Sequence, residues 1–86
     1  MRTQFQIEAW DDNYQEFEMT ITLPFGLGED YDPFPAAEWL REAVGAICVT
    51  ITQIKTHHDG KVEGMFLHEF FEGEWNPGSG ELVFLQ

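Results

Sequence analysis

Across its 86 residues the chain has one cysteine, Cys48, and one serine, Ser79. A lone cysteine excludes an internal disulfide, so packing alone must hold the fold, and such cysteine usage suits a reducing cytoplasm. A lone serine inside a glycine-rich stretch excludes the serine elbow of a nucleophilic hydrolase. Basic residues are nearly as scarce: Arg2, Arg41, Lys55 and Lys61 stand against sixteen Asp and Glu, for a net charge of −12. Phosphates would be repelled, which argues against direct binding to nucleic acid or to an anionic membrane surface. No run approaches the roughly 18 apolar residues of a membrane-spanning helix. The amino terminus alternates polar and apolar residues where a signal peptide would carry an apolar core. The expectation is one soluble, unprocessed domain spanning 1–86.

What the chain does have is apolar surface to bury, with 43% hydrophobic and 15% aromatic residues, too much for a disordered tail. Thr3 to Trp10 sets Phe5, Ile7 and Ala9 against Gln4, Gln6 and Glu8, the period-two pattern of a strand covered on one side. Asp11, Asp12 and Asn13 form turns, and Tyr14 to Leu23 alternates again, with Phe17, Met19, Ile21 and Leu23 against Glu16, Glu18, Thr20 and Thr22. These two segments predict an antiparallel hairpin with an apolar core face and a polar second face. Pro24 to Tyr31 reads as a loop. Asp32 is the expected helix cap, Pro33 or Pro35 suits the first turn, and Gly45 ends the helix. Ala36, Trp39, Leu40, Ala43 and Val44 form the apolar stripe, leaving Glu38, Arg41 and Glu42 outside.

Ala46 to Thr56 and Lys61 to Phe71 read as a second hairpin about an Asp59-Gly60 turn. That register pairs Ile54 with Met65, Thr52 with Leu67, Val49 with Phe70 and Cys48 with Phe71. One face then carries Ile47, Val49, Ile51, Phe66 and Phe70 toward the helix, and the other shows Cys48, Ile54, Met65, Leu67 and Phe71. Something must cover this second face, either a last strand from Glu81 to Gln86 or a partner protein. The predicted fold class is α+β: a small, mostly antiparallel sheet in the order β-β-α-β-β, with a fifth carboxyl-terminal strand, packed against one α-helix.

The acids are unevenly spread, with ten of them against two arginines in residues 1–42, a net −8, and a net −4 in the remainder. Glu8, Asp11, Asp12, Glu16 and Glu18 fall on the first hairpin, and Glu29, Asp30 and Asp32 in the loop before the helix. Glutamates two apart on a strand stand about 6.8 Å apart, whereas one DNA strand carries a charge every ~3.4 Å of axis. Neighbouring elements must therefore combine to imitate a phosphate track, and the loop acids are expected to extend the hairpin row. A net charge of magnitude 12 also exceeds the roughly 2–8 that solubility asks of a small domain. The eight acids are the candidate partner-binding residues.

Other chemistry is poorly served. His57, His58, Asp59, His68 and Cys48 are the borderline or soft ligands available to zinc, but the hairpin register separates His68 and Cys48 from the turn. An acid run from Glu29 to Asp32 lacks the spacing of a calcium loop, since Arg41 falls where the bidentate glutamate belongs. Gly26-Leu27-Gly28 is followed by acids and has no lysine, so it would repel a phosphate. Cys48 reads as a small core residue. Neither a cofactor, a metal nor a catalytic constellation is expected, and an 86-residue single-helix domain has little room for a deep pocket. Among the aromatics, Phe5, Phe17, Trp39, Phe66 and Phe70 suit the core, and Trp10, Tyr14, Tyr31, Phe71 and Trp75 suit strand ends, loops or the second face.

In charge and size the chain resembles the anti-defence proteins of bacteriophages, such as anti-CRISPR and anti-restriction proteins. The resemblance implies a non-enzymatic inhibitor in the cytoplasm of a bacterial host. Its partner would be a basic nucleic-acid-binding protein or complex, such as a CRISPR effector or a restriction enzyme, for which it competes with DNA or RNA. Two alternatives follow from the same residues. One is a toxin immunity protein or antitoxin that plugs a basic nuclease. The other is a structural or assembly module that uses Ile54, Met65, Leu67 and Phe71 to pair with a larger protein or with itself as a homodimer.

Overall fold

Alternation of apolar residues builds the centre of the molecule. The structure, a computed structural model, describes residues 1–24 and 30–80 and the backbone of 82–84. Strand β1 (Arg2–Trp10) buries Thr3, Phe5, Ile7 and Ala9 on one face. Strand β2 (Glu16–Thr22) returns antiparallel on one side of β1, with Ile21, Met19 and Phe17 opposite Phe5, Ile7 and Ala9. On the other side β3 (Cys48–Thr56) sets Ile51 and Val49 beside Ile7 and Ala9. Strand β4 (Val62–Phe71) follows β3, and both β5 (Glu74–Pro77) and β6 (Leu82–Phe84) pair with the outer edge of β4. The order is β2-β1-β3-β4-β5 with β6 also on β4, every pairing being antiparallel. Helix α1 (Phe34–Val44) lies over β1 and β3 on the core face. This is the α+β fold that the pattern predicts.

The helix is rotated from the predicted phase. Ala37 and Leu40 are its buried residues, with Ala36 and Val44 beside them, while Ala43 is exposed and Trp39 is 63% exposed. A small residue, Ala37, lets the helix approach the sheet closely. The large aromatic of this corner comes instead from β5: Trp75 packs 4.8 Å from the Phe34 ring and 5.3 Å from the Phe70 ring. The indole N–H of Trp75 donates to Glu38 at 2.7 Å, and Arg41 binds Glu38 while lying 4.8 Å over the Phe70 ring. Glu38 and Arg41, predicted to face solvent, are thus the polar seam between helix and sheet. Asp32 accepts the Phe34 N–H at 3.0 Å, but the cap position itself is Pro33 and bears no side-chain cap. At the other end Gly45 closes the helix at φ 65°, a conformation that glycine adopts without penalty.

The second hairpin departs from its predicted register for a traceable reason. Its turn has three residues, not two: His57 donates its N–H to Lys61 at 2.8 Å, and Gly60, at φ 89°, donates to His57 at 3.0 Å. Pairing nearest the turn is therefore one residue off, with Ile54 opposite Gly64, Gln53 opposite Met65 and Thr52 opposite Phe66. A bulge at Leu67 restores the predicted pairs Val49–Phe70 and Cys48–Phe71. One extra residue inverts the alternation between turn and bulge. Phe66 consequently shares the face of Cys48, Ile54 and Phe71, whereas Leu67 packs on the core and Met65 lies in register with Gln53 on the core side. Ile47, predicted as core, precedes β3 and is 48% exposed.

The carboxyl-terminal segment runs along the outer edge of β4. Glu72 and Gly73, at φ 54° and 81°, turn the chain into β5. At the bulge Gly78 donates its N–H to Leu67 at 2.7 Å, and an added Cβ there would lie 2.4 Å from the Phe66 carbonyl oxygen, so only glycine fits. Leu82–Phe84 then pairs with Met65 to Glu63. The last strand therefore widens the sheet and covers neither face. The rest of the predicted strand, Glu81, Leu85 and Gln86, lies outside the described residues, as do Glu29 and Gly26-Leu27-Gly28. Among the described residues no helix or strand packs on the face opposite α1.

Candidate functional site

That open face is the candidate site, and register alone determines its composition. Residues paired across neighbouring strands point to the same side of the sheet. One row runs Glu16, Trp10, Cys48, Phe71, Glu74 from β2 to β5, and the next runs Glu18, Glu8, Thr50, Glu69, Asn76. A third runs Thr20, Gln6, Thr52, Phe66, and a fourth runs Thr22, Gln4, Ile54, Gly64, where Gln4 donates its amide to the Thr22 hydroxyl at 3.1 Å. With strands ~4.8 Å apart, the first two rows span roughly 19 Å. They hold Glu8, Glu16, Glu18, Glu69 and Glu74 around a centre of Trp10, Cys48 and Phe71.

Carboxylates of Glu8, Glu16 and Glu18 converge, with one oxygen of each within 4.8 Å of the others. Glu8 is half-buried, and its carboxyl is pushed above the usual range, first by burial and then by its hydrogen bond to Glu16 and the charges of Glu16 and Glu18. The trio has the chemistry to share a proton or to receive a cationic group such as an ammonium or guanidinium. None of the four cations lies in these two rows. Arg41 is on the helix, Lys55 is in register with Thr3 and Glu63, Lys61 closes the β3–β4 turn, and Arg2 begins β1 at its far end.

The remaining predicted acids divide. Asp11 works within the β1–β2 turn, where its carboxylate accepts the N–H groups of Asn13 and Gln15, both at 2.9 Å. Asp12 is exposed beside it. Tyr31 packs 5.4 Å from the Phe5 ring on the core face, so Asp30 and Asp32, its neighbours in the chain, belong to the helix side of the sheet. The structure does not join them to the hairpin acids in one row, contrary to expectation. Glu69 and Glu74, which sequence reading passed over, do join. The signal for Glu69 was the predicted register, which pairs Cys48 with Phe71 and so sets Glu69 on the same face, whereas Glu74 is placed only by the pairing of β5 with β4.

Cys48 is half-buried on the open face, not in the core, and burial followed by the Glu69 charge raises its thiol pKa. Both effects favour the neutral thiol over the nucleophilic thiolate. At the end of the sheet Ala46, Ile47, Phe70, Phe71, Glu72 and Gly73 line an open groove of about 320 Å³. His68 faces Ile51 and lies against Phe34, while His57 and His58 occupy the turn, so the histidines are separated as the register predicts.

No protein-family model, curated protein or solved structure matches the chain.

Proposed function

We propose that the protein is a non-enzymatic inhibitor that lays the open face of its sheet on the basic nucleic-acid-binding surface of another protein or complex and competes there with DNA or RNA. The observation that supports this reading is the pair Glu8 and Glu18, placed directly opposite each other with Glu16 beside them. Like charges directly opposite each other on neighbouring strands destabilise the fold. A lysine or arginine of a partner turns the same cost into attraction. Carboxylates this close are denser than one strand alone supplies, at about 6.8 Å per pair, and they approach the charge spacing of a nucleic-acid backbone. Trp10 and Phe71 beside them offer aromatic anchors, while a net charge of −12 steers a basic partner from a distance.

Such an activity is of the anti-defence type, exercised in a bacterial cytoplasm against a CRISPR effector, a restriction enzyme or a similar complex. The test is capture of partners from bacterial lysate at low salt, followed by a competition assay with labelled nucleic acid on each recovered protein. The expected result is displacement of the nucleic acid by the wild-type protein, weakened by salt and lost with Glu8→Lys, Glu16→Lys and Glu18→Lys together. A recovered partner whose nucleic-acid binding is untouched overturns the reading. Capture of one nuclease alone, blocked at its active cleft, would narrow the activity to that of an immunity protein.

A further inference from the structure

The outer edge of β2 has the properties of a strand acceptor. Leu23 donates its N–H to the Thr3 carbonyl at 3.0 Å, which makes Thr3 and Leu23 a hydrogen-bonded pair. In an antiparallel ladder such pairs alternate with non-bonded ones. Ile21, Met19 and Phe17 are therefore the residues that bond to β1, and the N–H and C=O groups of Glu16, Glu18, Thr20 and Thr22 point away from it. Among the described residues no strand pairs with that side.

The two edges of the sheet are treated differently. Beyond β4 the edge is broken into a four-residue strand that ends in Pro77 and a three-residue strand, with Gly78 following the proline, which blunts it against further pairing. β2 runs seven residues as EFEMTIT, with no proline, glycine, lysine or bulge. Its core side is also unfinished: Phe17, Met19 and Ile21 are only partly buried, because the helix lies over β1 and β3. A strand added here would gain backbone hydrogen bonds, cover those three side chains and meet Glu16 and Glu18 on the open face.

Resting on the reading that the partner is basic, we propose that β2 receives an extended segment of that partner as a further strand of the sheet. The segment would carry Lys or Arg at alternate positions facing Glu16 and Glu18, and apolar side chains between them facing Phe17, Met19 and Ile21. Charge decides against a second copy of this chain, which would bring another net −12 to the same edge.

The test is titration of the full-length protein with a short fluorescent peptide that alternates lysine and valine. Two controls accompany it, one peptide with serine for lysine and one N-methylated at alternate amides. Thr20→Pro removes an outward-facing N–H and blocks the edge, while the bonds from β2 to β1 are kept; Thr20→Val leaves the edge open. The expected result is binding of the lysine–valine peptide that weakens with salt, survives Thr20→Val, and drops about tenfold or more, ~1.4 kcal/mol per decade, with Thr20→Pro or with N-methylation. The N-methylated peptide reads the same contact on the unaltered protein, so the answer does not depend on Thr20→Pro folding.

Absence of peptide binding, equal binding of the N-methylated peptide, or a stable dimer through β2 in sedimentation each overturns strand addition. Equal binding of the N-methylated peptide with loss on Glu16→Lys and Glu18→Lys would leave the acidic-face reading standing and remove this one alone. Equal binding of the serine peptide would remove the basic partner, and this proposal with it.

Discussion

Glu8 on β1 stands directly opposite Glu18 on β2, on a face that no described element covers. The pair stores a small electrostatic cost in the folded state, and that cost is measurable. Glu8→Gln should raise stability at pH 7 by about 0.5 kcal/mol, the size of a typical cross-strand pair interaction. The Glu8 carboxyl is raised above its ordinary 4.5, by burial first and then by Glu16 and Glu18, so the folded state binds its proton more tightly than the unfolded chain does. Stability from this group is fully present below pH 4.5 and is lost as pH rises through the folded value. The advantage of Glu8→Gln should therefore vanish in acid, as urea denaturation at pH 7 and pH 4 would show.

Glu38 behaves in the opposite sense. Its carboxyl is held below the ordinary 4.5, chiefly by the Arg41 hydrogen bond and also by the Trp75 indole. Its contribution is present above pH 4.5 and lost as pH falls through the depressed folded value. Glu38→Ala removes the acceptor of Trp75 and the partner of Arg41, and should cost about 1–2 kcal/mol at pH 7. That difference should shrink in acid, with the tryptophan fluorescence shifting as the helix seam loosens.

Gly78 passes so near the Phe66 carbonyl that a methyl group has no room. Gly78→Ala should destabilise by about 1–3 kcal/mol, as overpacking does. Hydrogen exchange should show the loss concentrated in the amides of β5 and β6, with β1 and β3 still protected.

Glu72 holds φ 54° ahead of Gly73, a conformation that suits asparagine far better than glutamate. Glu72→Asn should stabilise the protein by about 0.5–1 kcal/mol, a part of the left-handed penalty. A raised melting temperature with an unchanged circular dichroism spectrum would confirm that the gain is local to the turn.

Much of this fold is legible in the sequence wherever one rule acts alone. Phe5, Ile7 and Ala9 alternate without interruption, and β1, β2 and their shared core face follow directly. Legibility fails where two local choices offset each other. A three-residue turn at His58 to Gly60 and a bulge at Leu67 cancel, so the Val49–Phe70 pair is readable while Phe66, Leu67 and Met65 are each read onto the wrong side. Helix phase fails for a different reason. Trp39 looks like the anchor until Trp75, distant in sequence, takes that place and draws Glu38 and Arg41 inward. For the site, alternation identifies Glu8, Glu16 and Glu18, but Asp30 and Asp32 are separated from them by the packing of Tyr31 on Phe5. Glu69 follows from the predicted Cys48–Phe71 pair, which sets it on the open face beside Thr50, whereas Glu74 enters only through the pairing of β5 with β4.

The proposed binding by the acidic open face comes at the expense of the fold's own stability. Its most direct test is one protein carrying Glu16→Lys and Glu18→Lys, measured for urea stability and for displacement of nucleic acid from a captured basic partner. Two reversed contacts at about 1.4 kcal/mol each amount to roughly a hundredfold loss of affinity, and relief of the repulsion at Glu8 should leave stability equal or higher. Unchanged displacement by this variant, with the fold intact, would show that the acidic face is not the binding surface.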